Sequence, residues 1–178
     1  MGHLRRHRRW VGLVALAGAA VAVFVFAYFE PHKLFIDDRV SEALPSAAAA
    51  PPSATESPSS TATTETPAVR TLSQGAFRSY EHATSGRARV IALADGKRYV
   101  RFEDFETSNG PALKVYLSAA PASGPGESFD DRFVDLGDLK GNVGSQNYAI
   151  PAGVRLDRYR SVVVWCKRFG VPFAAAPL

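Results

Sequence analysis

One cysteine, Cys166, is the side chain with the best-defined chemistry in this 178-residue sequence. It lies in the run SVVVWCKRF at residues 161–169. A cysteine acts as a nucleophile or redox group through its thiolate, and nearby cations stabilise that form. Lys167 and Arg168 follow Cys166 directly. These three are the candidate site residues, with Cys166 as the redox thiol and the two cations as stabilisers of its thiolate.

The surroundings of Cys166 also fit an inert role. The run is rich in valine and predicts a central strand at residues 162–168, with apolar residues on both faces. In a regular strand Arg168 shares a face with Cys166, whereas Lys167 points to the opposite face. A cysteine among valines is often a small buried hydrophobe, and an unpaired cysteine can also join a second chain. A redox thiol, a packed core residue and an intermolecular disulfide therefore all remain open.

Metal and haem cofactors have few candidate ligands in this sequence. One cysteine cannot supply the about four thiolates of an iron–sulfur cluster, and no Cys-x-x-Cys-His motif for covalent haem is present. His82 is the only histidine in residues 70–178, and the only methionine is Met1. Paired-histidine haem ligation, histidine–methionine ligation and a blue-copper site are thus excluded within one domain. We expect no intrinsic cofactor, which leaves thiol chemistry at Cys166, a pair with His82, or haem on a partner.

Two groups of acidic residues are weaker candidates for chemistry. The first group suggests a cation site or acid–base catalysis, but a solvated hairpin end explains it more simply. The second could hold calcium through carboxylates and loop carbonyls, but its spacing is not that of an EF-hand. The two groups are Glu103, Asp104 and Glu106, and Asp130, Asp131, Asp135 and Asp138.

Residues 70–178 have the pattern of an all-β domain that would position these side chains. Short apolar–polar alternations are separated by turn residues, and no 3.6-residue stripe is evident. This pattern predicts an antiparallel β-sandwich or barrel of about 7 to 8 strands. The predicted strands are 74–81, 87–93, 98–105, 112–118, 132–136, 147–150, 162–168 and, as an eighth, 171–175.

A membrane anchor is predicted before this domain. Residues 10–29 contain no charge and no proline, and a helix of that length rises about 30 Å, the thickness of the hydrocarbon core. The basic tail at residues 1–9 precedes it, so the positive-inside rule places the N-terminus in the cytoplasm. We therefore predict one transmembrane helix in a single-pass plasma-membrane protein whose C-terminal domain is extracytoplasmic. The alternative is a signal peptide cleaved near residues 17–19.

Two further segments connect this helix to the domain. Residues 30–44 mix apolar and charged side chains and predict a juxtamembrane segment with one or two helical turns around residues 40–44. Residues 45–69 are almost entirely Pro, Ser, Thr and Ala. Such a composition buries too little apolar surface to offset chain entropy, so we predict a disordered linker.

The charge distribution argues against nucleic acid as a partner. The net charge is +4, and in residues 70–178 the basic and acidic residues alternate in sign. A nucleic-acid interface usually carries a basic stripe interleaved with aromatic residues. No such stripe is present in the sequence.

Three motifs resemble the electron-transfer DM-thirteen (DM13) domain family. They are RFEDFETSNGPALKVYLS at residues 101–118, VDLGDLKGNVGSQNYAIP at 134–151 and VWCKRF at 164–169. The resemblance covers residues 72–178 and departs at Ala174, where the family pattern has glycine after phenylalanine. It implies an all-β, extracytoplasmic domain, often attached to membrane anchors or to domains that bind haem or pass electrons. It also implies that Cys166 is the hallmark cysteine that has been proposed to be redox-active.

These observations lead to two functional hypotheses. In the first, a membrane-tethered extracytoplasmic β domain uses Cys166 for electron transfer or thiol exchange with a partner. The expected partners are the lipid bilayer, through residues 10–29, and an unidentified envelope redox protein. In the second, the domain is a non-catalytic binding or structural module of the cell envelope with a buried, inert cysteine. Under neither hypothesis do we expect an enzyme with its own turnover.

Overall fold

The structure, a computed structural model, describes residues 2–29, 36–46 and 69–178. The chain divides into two compact units, Met1–Ile36 and Asp37–Leu178. Most of the predicted linker and the first part of the predicted juxtamembrane segment, residues 30–35, lie outside the described residues.

The first unit contains helix α1, Gly2–Phe29. Apolar side chains such as Leu16 and Phe24 are exposed on it. Within the part of the chain that the structure describes, no helix is long and apolar enough to cross a membrane. The predicted transmembrane helix at 10–29 is therefore wrong, as is the single-pass plasma-membrane localisation with a cytoplasmic N-terminus and an extracytoplasmic domain.

The second unit is a β-sandwich of two five-stranded sheets. One sheet has the strand order β1-β8-β5-β4-β2, and the other has the order β3-β10-β9-β6-β7. The strands are β1 Arg39–Ser41, β2 Val69–Ala76, β3 Arg78–Ser79, β4 Ser85–Leu93, β5 Arg98–Glu106, β6 Leu113–Ser118, β7 Phe133–Asp138, β8 Val143–Ile150, β9 Ser161–Cys166 and β10 Val171–Pro177.

This architecture confirms the predicted β-sandwich and corrects two details. Neighbouring strands are antiparallel except for β1 and β8, which are parallel. Two open sheets replace the alternative of a closed barrel, and the described residues contain ten strands instead of 7 to 8. The extra strands arise because the predicted strand at 74–81 is divided at Phe77 and because β1 lies outside the predicted domain.

The core lies between the sheets, with a second cluster on the outer face of one of them. Residues such as Phe102 of β5 and Val115 of β6 meet in the main core. The second cluster contains Tyr116 and Trp165, and Phe129 from the loop before β7 packs on it. Alternation along β6 and β9 explains the division, because successive side chains point to opposite faces of a sheet.

Residues 37–46 do not form the predicted helical turns. Residues 39–41 form β1, which pairs with β8 from Val143 to Ser145. Gly144 has a φ of 108°, and a Cβ atom there would overlap the carbonyl oxygen of Val40. The glycine therefore lets the backbone of β1 approach β8 closely, and the free edge of β8 supplies hydrogen bonds that an isolated helical turn would lack.

Candidate functional site

Cys166 is the last residue of β9, the middle strand of its sheet. The strand is hydrogen-bonded to β6 on one side and β10 on the other, and all of its residues are buried. Leu113 and Val171 lie opposite Cys166 on those neighbours. The prediction of a central strand with apolar residues on both faces is confirmed, although the strand ends at residue 166 instead of 168.

The two faces of β9 contact different parts of the molecule. Val162, Val164 and Cys166 belong to the main core between the sheets. Val163 and Trp165 belong to the second cluster on the opposite face. Cys166 therefore faces the inside of the sandwich, as the alternation predicted.

The thiol of Cys166 is 0% exposed and is not part of a disulfide. Its Sγ donates a hydrogen bond to the carbonyl oxygen of Pro111 at 3.3 Å. Only the protonated thiol can donate this bond, because a thiolate has no proton. In the folded domain the thiol is thus out of reach of solvent, which is an unreactive arrangement.

Two loops meet at Cys166, and we call them together the cover: residues 107–112 and residues 167–170. The first contains Pro111, which accepts the hydrogen bond of the thiol. The second is the turn between β9 and β10, in which Gly170 N–H donates to the carbonyl oxygen of Cys166 at 2.9 Å. The loops are joined to each other, since Lys167 N–H donates to the carbonyl oxygen of Ala112 at 3.1 Å.

Aromatic side chains support the cover from the side of β10. Phe173 is 3% exposed and lies so close to Gly110 that an added Cβ there would be 2.9 Å from its ring. The ring of His82 stacks on Phe173 with centroids 3.8 Å apart. His82 therefore contacts Phe173 at this end of the sandwich. The thiol of Cys166 donates its hydrogen bond to Pro111 and not to His82. The neighbouring Ala174 is 0% exposed in the main core, so its methyl group is accommodated where the family pattern has glycine.

Lys167 and Arg168 both lie in the turn of the cover, not in β9. Lys167 is exposed and Arg168 is half-buried. Because β9 ends at Cys166, strand alternation does not determine which way the side chain of Arg168 points, and the predicted shared face does not apply. The structure therefore places both cations next to Cys166 in the chain but within a different backbone element.

One or more members of each acidic group pair with basic side chains. Glu103 accepts hydrogen bonds from Arg89 at 2.8 Å and Arg101 at 3.1 Å. Asp138 pairs with Lys114 at 2.6 Å, and this hydrogen bond raises the pKa of Lys114 above its ordinary value. Among residues 2–29, 36–46 and 69–178, no three His, Cys, Asp or Glu side chains are grouped so that they could hold a metal ion.

A row of aromatic rings next to Cys166 was missed by the sequence analysis. Trp165 stacks on Tyr116 with centroids 6.3 Å apart, and Tyr116 stacks on Phe133 at 4.2 Å. The row runs from a buried tryptophan to Phe133, which is 40% exposed. Burial raises the pKa of Tyr116. The signal was present in the alternation of β6 and β9, but the pairing of these strands was not predicted.

One cleft of the described residues lies away from Cys166. It has a volume of about 810 Å³ and is formed by the hairpin between β4 and β5 and by residues 149–157. Arg98 closes part of this cleft by donating to the carbonyl oxygens of Ala152 and Val154 at 3.1 and 2.9 Å. Arg98 thus holds the loop that forms one side of the cleft. Cys166 does not line this cleft.

Comparison with known proteins gives one result. The family model described as Electron transfer DM13 matches residues 76–178. No curated protein and no solved structure shows significant similarity to the chain. The match covers most of the β-sandwich, including β9 and the cover, but excludes β1 and nearly all of β2.

Proposed function

Because the chain belongs to the electron-transfer DM13 family, we propose that its β-sandwich takes part in a redox process with Cys166 as the redox thiol. The observation that carries this proposal is the place of Cys166 at the end of a central strand. The loop that contains Pro111 contacts the sulfur there, and the turn at residues 167–170 is joined to that loop through Lys167 N–H and Ala112. Loops open at a lower free energy than the middle of a sheet.

Access decides which redox chemistry is available to the thiol. Thiol–disulfide exchange requires a thiolate to attack a disulfide sulfur directly. At 0% exposure the sulfur of Cys166 cannot make that approach while the cover is closed. We therefore propose that the cover opens locally, by release of the hydrogen bonds at Pro111 and Lys167, before the thiol reacts.

The reaction in the opened domain is a simple exchange. The thiol loses its proton to water, and the thiolate attacks the disulfide R–S–S–R of a partner. A Cys166–S–S–R bond forms as the R–S–S–R bond breaks, and the leaving thiolate takes up a proton. Lys167 and Arg168 stabilise the thiolate in this state, because cations near sulfur favour the charged form. The partner is a redox protein that supplies this disulfide.

This proposal is tested by exposing the full chain to oxidised glutathione under native conditions and measuring its mass. We expect one glutathione adduct on Cys166 that dithiothreitol removes. The matched control is the double variant Val164→Cys/Cys166→Ala, which moves the thiol two residues along the same face of β9 to a site that is also 0% exposed. If wild type and control both remain unmodified until they are unfolded, Cys166 is not a redox thiol.

A second candidate function is a binding or structural module in which Cys166 is a packing residue. The complete burial of the thiol among the valines of β9 supports this alternative. It predicts that Cys166→Ala leaves capture of a partner intact and changes only stability. Loss of capture in a Cys166→Ala variant that still folds would contradict it.

A further inference from the structure

A short acidic segment before the family domain lies along one edge of the sandwich. We call residues 37–43 the strap; it contains β1 and precedes the family match, which begins at residue 76. The strap pairs in parallel with β8, which would otherwise be an edge strand of its sheet. Residues 47–68 join it to β2.

Hydrogen bonds within the domain fix the side chains at the edge of β8 that pairs with the strap. Asn142 is 2% exposed, and its Nδ2 donates to the carbonyl oxygen of Thr107 at 2.9 Å. Gln146 is 0% exposed, and its Nε2 donates to the carbonyl oxygen of Gly141 at 2.8 Å. These two bonds involve no strap atom, and Asn142 Nδ2 also donates to Oδ1 of Asp37 in the strap at 2.9 Å.

Backbone hydrogen bonds align the strap on this surface. Asp38 N–H donates to Oδ1 of Asn142 at 2.6 Å, and its carbonyl oxygen accepts from Val143 N–H at 3.3 Å. At the other end, Glu42 N–H donates to the carbonyl oxygen of Ser145 at 2.8 Å. Main-chain bonds of this kind are how an extended peptide is added to the edge of a sheet.

Side chains on the receiving surface contact the acidic groups of the strap. The carboxylate of Glu42 accepts from Lys140 Nζ at 2.6 Å and from Asn147 N–H at 2.7 Å. The carboxylate of Asp38 accepts from Asn109 Nδ2 at 2.9 Å. Asp37 Oδ1 also accepts from Asn142 Nδ2 at 2.9 Å, so three acidic positions are recognised by donors that belong to the domain.

Apolar contacts hold the strap only weakly. Val40 is its single half-buried apolar residue, and the flanking Ile36 and Leu44 are 54% and 45% exposed. A segment with few buried apolar contacts belongs to the least stable parts of a fold. Its attachment depends on polar bonds that an extended acidic peptide from another chain can reproduce.

We propose that the edge of β8 is a binding site for an extended acidic segment of a partner protein, and that the strap is its internal ligand. The segment carries an acidic residue at each of the positions of Asp38 and Glu42, and it adds a parallel strand to β8. The strap competes from within the chain at an effective concentration on the order of 1 mM, so a partner binds when the strap is released. This inference does not depend on the redox role of Cys166.

The test uses the full chain and a fluorescent synthetic peptide of residues 36–46 as the probe. Glu42→Lys places a second ammonium group beside Lys140 and releases the strap. Ser41→Lys is the control, because it introduces the same side chain at an exposed strap position. We expect the peptide to bind Glu42→Lys about tenfold or more tightly than it binds wild type or Ser41→Lys. Equal affinity in the three proteins, or binding to none of them, would overturn the proposal.

Exchanging the charges tests whether the site recognises the acidic residue at the position of Glu42. The single variant Lys140→Glu should also release the strap, but it should not bind the native peptide, because two carboxylates would face each other. A peptide with lysine in place of Glu42 should bind Lys140→Glu, because a pair of opposite charges forms, and it should not bind Glu42→Lys. If both peptides bind both proteins alike, the site does not recognise the acidic residue and the proposal fails.

A cleavable chain provides a test that does not depend on charge variants folding. A protease site is introduced within residues 47–68, and the protein is cut while folded. We expect the fragment that carries the strap to remain bound to the sandwich and to be displaced by excess peptide in gel filtration. A fragment that stays bound at saturating peptide would show that the site does not accept a segment from another chain.

Discussion

The end of β9 and the edge of β8 are stabilised by different kinds of contact. At the end of β9, one thiol is fully buried, surrounded by apolar side chains and joined to a single polar partner, Pro111. At the edge of β8, an exposed strap is held by many hydrogen bonds and little apolar surface. This difference indicates that solvent access controls the reactivity of the thiol at the end of β9. At the edge of β8, competition between the strap and other segments controls binding. Variants at the two sites should therefore differ in stability cost, in thiol reactivity and in pH dependence.

The largest expected effect comes from removing the aromatic support of the cover. Phe173→Ala should lower the free energy of unfolding by about 3–5 kcal/mol, because it deletes a large buried ring. It should also make Cys166 react faster, because the ring lies against the loop that contains Pro111. Urea unfolding and thiol alkylation measure the two effects.

Phe169→Ala is the matched control for that variant. Phe169 lies in the turn of the cover but is 54% exposed, so its removal should change stability by no more than about 0.5 kcal/mol. If both phenylalanine variants cost the same, the buried support at the end of β9 does not hold the cover.

Alanine variants of two glycines should separate the free-energy cost of backbone strain from the effect of losing the strap. Gly144 and Gly137 have similar φ angles, 108° and 113°, so alanine at either position should cost about 1–3 kcal/mol in backbone strain. An added Cβ at Gly144 would also overlap the carbonyl oxygen of Val40, whereas none of the described atoms lies within 4 Å of one at Gly137. Hydrogen exchange should therefore show loss of protection in β1 for Gly144→Ala alone. Equal loss in both variants would mean that β1 does not depend on this close approach.

A smaller effect is expected from the cations of the turn. Lys167→Gln combined with Arg168→Gln should slow formation of the glutathione adduct about threefold to tenfold, because the thiolate loses its stabilising charges. Stability should change little at the exposed Lys167. The rate of adduct formation is measured by mass at fixed pH. An unchanged rate would show that neither Lys167 nor Arg168 stabilises the thiolate.

The smallest effect is a pH dependence of the strap. Burial raises the pKa of Glu42, but hydrogen bonds from Lys140 and Asn147 and the charge of Lys140 outweigh it, leaving the pKa below its ordinary value of 4.5. Protonation is therefore easier in the released strap, so the carboxylate's contribution to attachment is complete above pH 4.5 and is lost as pH falls through the lower, attached value.

Amide chemical shifts of residues 42 and 147, followed from pH 6 to pH 3, measure this release. Arg101 donates to the backbone carbonyl of Glu42 at 3.2 Å, a bond that does not involve the carboxylate. Glu42→Gln should abolish the transition near the acid end. A transition that persists in Glu42→Gln would show that Glu42 does not cause it.

Local patterns in the sequence predicted much of the sandwich. Alternation located every strand from β4 to β10 and the burial of both faces of β9, because period-2 patterns report directly on half-buried strands. Turn residues separated the predicted strands, as in the hairpin between β4 and β5, where Gly96 has a φ of 81°. The single cysteine and the absence of most cofactor ligands also limited the candidate chemistry, because residue counts alone exclude most metal and haem sites.

Long-range relations could not be read from the same patterns. β1 has only three residues, and its pairing with β8 depends on glycines more than one hundred positions away. The hydrogen bond from Cys166 to Pro111 spans 55 residues, and no local signal connects them. The end of β9 was misplaced because Lys167 and Arg168 continue the polar pattern of a strand while the backbone has already turned. Strand pairing, and hence the cover and the strap, follows from tertiary contacts.

The most direct measurement of the central claim is the alkylation rate of Cys166 as a function of urea, compared with Val164→Cys/Cys166→Ala. Both thiols lie on the same buried face of β9, but only the native one lies beneath the cover. We predict that Cys166 reacts through an opening that costs less free energy than global unfolding and depends weakly on urea. The control thiol should react only as the whole domain unfolds. If the two thiols react at the same rate, with the urea dependence of global unfolding, the cover does not open and Cys166 is a packing residue.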